Sequence, residues 1–266
     1  MSRLEILVAT MYQGDLSKTK EMNIDCDVIF ANQSDSYSYM EEKISMGVAK
    51  MITTRERGVG RNRNLLLSMA QNEICLLSDD DVVYVDNCKD IILNAFNELP
   101  HADIIIFNIE TLGDKVNRRI NTKIKKVNIF NFMNYGAVRI AFRRDNILRK
   151  NLWFSLKFGG GATYGAGEDS LFLREALQKK LNIYTYPSKI AVVKQTESTW
   201  FKGYNSKFFF DKGAFCEAAF QNLKYLVIIY YAWRFKGLAD STFLSNIREM
   251  INGMKGFKKG KSYEES

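Results

Sequence analysis

The stretch ICLLSDDDVVY, residues 74–84, runs an apolar segment straight into three consecutive aspartates, Asp79, Asp80 and Asp81. Side chains alternate faces along a strand, so this spacing predicts Asp79 and Asp81 on one side and Asp80 on the other. In open α/β sheets ligands bind beyond the carboxyl ends of the strands, which is where such a triplet falls. Adjacent carboxylates raise one another's pKa unless a cation offsets the repulsion. A hard divalent ion with oxygen ligands does so, with further ligands drawn from a substrate diphosphate. The plain alternative is a solvated acidic turn that caps the following helix.

Working outward, short apolar runs alternate with helical periodicity, which predicts a mainly parallel sheet with helices on its faces. Candidate strands span residues 4–10, 27–31, 48–53, 74–77 and 103–109, with helices over 61–70 and 87–99. A basic, less regular stretch follows at 115–126, then a strand-like GAVRIAFRR (136–144), a Gly-rich loop (159–167), a helix over 169–179 and two strand-like pieces at 182–186 and 189–193. The 266 residues contain only two prolines and no Ser/Gly linker, so no flexible hinge divides them. The expected organisation is one α/β unit over residues 1–205, with halves at 1–110 and 111–205, and a helical extension over 206–266.

Composition excludes several chemistries. At 46% hydrophobic and 26% charged residues the chain is neither disordered nor a coiled coil. Its single histidine, His101, sits just after Pro100 where a turn is expected and leaves little material for a His-ligated zinc site or a Ser-His-Asp triad. Cys26, Cys75, Cys88 and Cys216 form no CxxC pair and read as buried thiols of a reducing compartment. The first ten residues do not make a signal peptide, so a cytoplasmic catalytic face is expected. The net charge of +8 favours a negatively charged partner.

Two more clusters carry chemistry. In RERGVGRNRNLLLSMA (55–70) glycines and arginines precede a helix, a way of presenting backbone N–H groups and Arg forks to a phosphate or base. It is no dinucleotide fingerprint, because Arg63 stands where the third glycine belongs. The ordinary alternative is a basic loop at a helix start. In FGGGATYGAGEDSLFLREAL (158–177) a Gly-rich loop delivers Glu168 and Asp169 to a helix N-terminus, where a carboxylate can take a proton from an attacking hydroxyl. The helix dipole opposes that role by stabilising the ionised form, so burial or a neighbouring charge must raise the pKa again. Alternatively the two acids merely complement the dipole.

The last sixty residues change character. NLKYLVIIYYAWRF (222–235) is densely apolar and aromatic, but it is shorter than the about 20 residues needed to span a bilayer. With Arg234, Lys236, Arg248, Lys255, Lys258, Lys259 and Lys261 nearby, it fits a helix lying on an anionic membrane surface. A core helix with a solvated basic tail is the alternative.

Taken in order, ILVAT (6–10), FANQSD (30–35), RGVGRNRN (57–64), LLSDDDVVY, IAFRR (140–144) and GAGEDSLF (165–172) resemble the inverting glycosyltransferases of family 2, with the GT-A fold, over about residues 4–200. The likeness is nearest to bacterial enzymes of capsular and surface polysaccharide assembly. It implies transfer of a single sugar, with inversion, from a nucleotide sugar, UDP-linked, to a lipid-linked saccharide acceptor, at the inner face of the cell membrane. It also implies roles for individual residues. Thr10, Tyr12, Asn32 and Gln33 would hold base and ribose, and Arg57, Arg63 and Asn64 the base or diphosphate. Asp80 belongs to the nucleotide-sugar site; Asp79 and Asp81 match the DxD pair for Mn²⁺ or Mg²⁺, with Asp81 preferred as direct ligand. Asp169 would be the base and Glu168 second to it. Where many relatives carry a metal- or diphosphate-binding histidine, this chain offers Lys194 and Gln195, and the processive QxxRW signature is absent. Two other readings compete with it: a non-catalytic sugar-nucleotide-binding assembly partner, and an RNA- or polyanion-binding protein, against which stands the lack of any RNP, KH or zinc motif.

Overall fold

The computed structural model describes residues 3–112, 120–194, 203–238 and 241–265. Its elements are β1 (Leu4–Met11), α1 (Lys18–Glu21), β2 (Asp27–Gln33), β3 (Ser38–Ile44), β4 (Gly47–Thr54), α2 (Val59–Met69), β5 (Ile74–Asp79), β6 (Val82–Tyr84), α3 (Cys88–Glu98), β7 (Ile104–Leu112), β8 (Lys125–Lys126), β9 (Ile140–Arg143), α4 (Arg144–Arg149), α5 (Glu168–Gln178), β10 (Ile183–Lys194), α6 (Ser206–Phe220), α7 (Lys224–Arg234) and α8 (Phe243–Lys259). The strands form one mixed sheet in the order β3-β4-β2-β1-β5-β9-β7-β10-β6, with β8 paired to β10. β1 with β2, β1 with β5, β2 with β4 and β7 with β10 run parallel. The α/β class with a helical C-terminal region is as the sequence predicts.

Strand alternation divides the core in two. Leu7, Ile29, Cys75, Leu77, Ile104, Ile106 and Phe142 face one side with α2, α5 and α6. Ile6, Val28, Phe30, Leu76, Ile105 and Phe107 face the other with α3. All four cysteines are free buried thiols: Cys75 in the first core, Cys26 and Cys88 in the second, and Cys216 in a third cluster among α6, α7 and α8.

Three local expectations are corrected. β3 was missed because six of its seven residues are exposed; an edge strand needs only the backbone ladder to β4, not an apolar face. The strand expected over 136–144 is shorter, since Ala137–Arg139 form a 3₁₀ turn before β9 and Arg144 opens α4. That turn buries Arg139, whose guanidinium donates to the Phe107 carbonyl at 2.7 Å and to Asn108 Oδ1 at 3.0 Å. The two pieces at 182–186 and 189–193 are one strand, β10, whose register against β7 shifts on either side of Lys189. Pro187 has no ladder donor and falls in the first of those irregularities. The helical extension expected over 206–266 divides into α6, α7 and α8 among the described residues, with α8 lying beyond the aromatic stretch at 222–235.

α6 begins at Ser206, and Asn205 caps that helix by accepting from the Phe208 N–H at 3.0 Å. Phe210, Ala214, Phe215, Ala219 and Phe220 of α6 belong to the same core as α2 and α5. α8 crosses α6 at glycines: a Cβ on Gly213 would lie 1.9 Å from the Met250 carbonyl oxygen, and one on Gly253 1.9 Å from that of Phe210. Only a residue without Cβ lets the two backbones meet.

Candidate active site

The decisive stretch ends its strand at Asp79, and Asp80 and Asp81 form the turn that follows. Strand alternation therefore stops one residue into the triplet. The turn leads the chain into β6, which pairs antiparallel with the carboxyl end of β10. Asp79 is half-exposed, Asp80 accepts a hydrogen bond from the Thr10 hydroxyl at the end of β1, and Asp81 is exposed.

Arg63 organises what surrounds Asp79. It lies in the second turn of α2 and is buried. Its guanidinium donates to Asp79 Oδ1 at 3.1 Å and to Glu168 Oε1 at 2.8 Å, and lies 5.5 Å from the Phe154 ring centroid. Burial works against its charge, but Asp79, Glu168 and Asp169 outweigh that and hold it protonated.

Gly167, at φ +113°, turns the Gly-rich loop into α5 and starts that helix with Glu168 and Asp169. Asp169 Oδ1 accepts from the Ser170 N–H at 2.7 Å, while its Oδ2 faces Gly136, where a Cβ would sit 3.5 Å away. Burial, and then the charge of Glu168, push the Asp169 carboxyl up to about 7 against the pull of Arg63 and the Ser170 N–H. The condition that a base at a helix N-terminus requires is therefore met by its surroundings.

Arg63, Asp79, Glu168 and Asp169 line one cavity of about 590 Å³, closed on the other side by residues 133–139 and by Lys212 of α6. Four of the site residues singled out in the sequence thus meet, from three separate stretches. The others sit elsewhere. Tyr12, at φ +54°, is exposed beneath the Arg57 guanidinium, 5.5 Å from its ring centroid, and Arg57 pairs with Asp35 at 2.5 Å. These make a separate lip beyond β1 and β2. Asn32 is fully buried, bonding the Gln13 backbone at 2.9 and 3.0 Å and Thr53 at 3.1 Å; Gln33 donates to the Gly58 carbonyl at 3.0 Å. Asn64 exchanges two bonds with the Phe154 backbone, at 2.8 and 2.9 Å. These three amides brace the loops around the site. Lys194 ends β10, but its side chain, like residues 195–202, lies outside the described residues.

Sequence reasoning missed Lys212. Its signal was a lysine inside FFFDKGAFCEAAF with Phe208 four residues before it and Phe215 three after, a cation on the apolar face of a helix.

A sequence profile described as glycosyl transferase family 2 matches residues 23–181. The chain belongs to that family. It is a glycosyltransferase. Among solved structures, residues 1–349 of Staphylococcus aureus TarS in complex with UDP-GlcNAc superpose with a TM-score of 0.63 at 13% identity, covering 98% of this chain and 93% of that one. The UDP complex of the same fragment gives 0.60 at 13% identity with the same coverage. A longer TarS structure gives 0.62 at 14% identity, with 98% of this chain covering 50% of that one. A comparison with curated proteins finds no match.

Proposed function

We propose that this chain is an inverting enzyme that moves a single sugar from a UDP-sugar to a growing, lipid-linked bacterial surface polysaccharide. One observation carries the reading: the strand-end carboxylate Asp79 and the basic carboxylate Asp169 line one cavity, bridged through Arg63 and Glu168. The UDP-GlcNAc and UDP complexes of TarS, which shares this fold, support the choice of donor.

In the reaction so read, an acceptor hydroxyl gives its proton to the Asp169 carboxylate as its oxygen attacks the anomeric carbon. The bond from that carbon to the diphosphate oxygen breaks, its electron pair leaves with the diphosphate, and the configuration inverts. Glu168 holds Arg63 in place, and Arg63 presents positive charge where the leaving diphosphate gains negative charge. Asp79, at the strand end on the cavity, and Asp81, exposed in the turn after it, would supply the hard carboxylate oxygens that Mg²⁺ or Mn²⁺ prefers. Among the described residues no three His, Cys, Asp or Glu side chains gather as a cage, so the diphosphate would complete the ligand shell. When bound, such an ion supplies positive charge to the diphosphate. Residues 1–110 would then serve the donor and 111–205 the acceptor, and the Tyr12–Arg57 lip would meet the base.

The lipid-linked acceptor draws support from α7. Tyr225, Leu226, Ile229, Tyr230 and Trp233 are exposed along one face of it, while Ile228, Tyr231 and Ala232 are buried on the other. No described helix is long and apolar enough to cross a membrane. We read α7 as lying on the cytoplasmic face of the membrane, with exposed Arg248, Lys255, Lys258 and Lys259 of α8 near anionic headgroups.

Calorimetry with UDP and Mn²⁺ tests the donor site: binding by the wild-type chain and its loss in Asp79→Ala/Asp81→Ala are expected, and equal binding by both refutes the assignment. Co-sedimentation with phosphatidylglycerol vesicles should drop in Ile229→Ser/Tyr230→Ser/Trp233→Ser; unchanged pelleting refutes the membrane role.

A further inference from the structure

Lys212 is a largely buried cation held among three aromatic rings, within range of the charges of Asp169 and Asp211 but in hydrogen-bond contact with neither. Its ammonium nitrogen lies 5.5 Å from the Phe208 ring centroid, 5.7 Å from that of Phe215 and 5.6 Å from that of Tyr231. Among the described residues no carboxylate or carbonyl bonds it. Its chain neighbour Asp211 is already taken, by Lys207 at 3.1 Å and the Gly165 N–H at 3.0 Å. The nearby Cys216 thiol is pushed up to about 12 by burial and carries no charge at neutral pH. Arg63, on the same cavity, has two carboxylates.

An ammonium ion has three N–H donors, and the quadrupoles of aromatic rings offset its desolvation only in part. Stripping water from such a group without giving it an anion is costly, and burial accordingly lowers the Lys212 pKa from the ordinary lysine value. The ammonium opens onto the cavity that holds Asp169. Asp169 and Asp211 act on it only at a distance; an anion in hydrogen-bond contact is what its surroundings lack, and the cavity it lines is where one can enter.

We propose that Lys212 receives an anionic group, phosphate or carboxylate, carried by the acceptor, and thereby selects which acceptors present a hydroxyl to Asp169. The inference rests on the reading of this cavity as the transfer site. Lys212 belongs to the acceptor side because α6 packs on α5 and Tyr231 of α7, whose ring flanks the ammonium, donates to Met133, whereas Thr10 and Asp79 at the ends of β1 and β5, with Arg63 of α2, face the donor.

Saturation-transfer NMR on the full chain with glycerol 3-phosphate, glycerate and glycerol tests this. Binding of at least one charged polyol, none of neutral glycerol, retention in Lys212→Arg and at least a tenfold weaker Kd in Lys212→Met are expected. A preference between the two charged polyols names the anion. Near-ultraviolet circular dichroism checks that Lys212→Met keeps its packing, and the Lys212→Arg arm decides if it does not. Equal binding of charged and neutral polyols, no binding of either anion, or equal affinity for wild type and a folded Lys212→Met overturns the proposal. Displacement of glycerol 3-phosphate by UDP also overturns it, by assigning Lys212 to the donor. UDP calorimetry on the same sample separates the two failures. Absence of UDP binding sinks the transfer-site reading, whereas UDP binding with Lys212 indifferent to the anions sinks this inference alone.

Discussion

Asp169→Asn should make the protein more stable and nearly inactive. Burial first, and the charge of Glu168 second, lift the Asp169 carboxyl from 3.8 to about 7, so the folded chain keeps a proton that the unfolded chain releases. Between those pH values the native state binds more protons, and stability falls as pH rises. At about 1.4 kcal/mol per pH unit, the penalty reaches roughly 4 kcal/mol above pH 7 but stays under roughly 2 kcal/mol at pH 5. Asparagine is nearly isosteric, keeps an acceptor for the Ser170 N–H and carries no charge. The attraction it forgoes toward Arg63 is already contained in the value of about 7. The variant should therefore gain up to roughly 4 kcal/mol at pH 8 and less at pH 5, while transfer drops by about 10²-fold or more. Urea unfolding at pH 5 and pH 8, followed by tryptophan fluorescence, reads the gain. With a slope near 3 kcal/mol/M the midpoint should rise by roughly 1 M at pH 8. A midpoint that falls, a gain independent of pH, or transfer within tenfold of wild type refutes the reasoning.

Three further outcomes follow from the same geometry. In the wild-type chain kcat/KM for sugar transfer should climb through about pH 7 as Asp169 ionises, and the residual rate of Asp169→Asn should lose that limb; a flat wild-type profile would remove Asp169 as base. Arg63→Met leaves Asp79 and Glu168 facing each other without their shared cation, which should cost about 3–5 kcal/mol in urea unfolding and weaken UDP binding. Gly213→Ala drives a methyl to 1.9 Å from the Met250 carbonyl oxygen and should cost about 1–3 kcal/mol by forcing α6 and α8 apart. Gly14→Ala, where a Cβ meets nothing within 4 Å, is its silent control in the same melts.

What could be read in advance was whatever rests on a local period. Seven-residue and longer strands with a near-continuous apolar run, such as β1 and β2, announce themselves because both faces are buried. β3 does not, because an edge strand is held by hydrogen bonds that every residue type can make. The 3₁₀ turn before β9 was hidden for another reason: it exists to bury Arg139 against the carbonyl of Phe107, thirty-two residues away, and no window of sequence contains both partners. The site divides in the same way. Asp79, Arg63, Glu168 and Asp169 each stand in a stretch whose composition is unusual, and the fold had only to bring the stretches together. Asn32, Gln33 and Asn64 look equally polar in sequence, yet their amides are consumed by backbone groups of neighbouring loops. Burial by a distant segment decides between those fates. Tyr231 shows the same effect in α7: grouped by sequence with Tyr230 and Trp233, it points inward and donates to Met133 Sδ at 3.2 Å.

The conflict at Asp169 between helix dipole and basicity can be settled by magnitude. A helix N-terminus favours a carboxylate by about 0.3–1 kcal/mol, up to about 2 in a partly buried setting, which lowers the pKa by roughly one unit. Arg63 acts in the same direction but is shared, with both of its forks already held by Asp79 and Glu168. Against these stand the loss of water around the carboxyl and the charge of Glu168 beside it, which together leave the group near 7 rather than near 3.8. Desolvation wins, and α6, a helix of the C-terminal region, supplies part of the surrounding wall through Lys212, with the Phe215 ring against Gly167. On the proposed reading, α6 belongs to the wall around the base. A chain ending before Ser206 would keep every carboxylate of the cluster yet admit water to Asp169, and its base would fall back toward an ordinary aspartate.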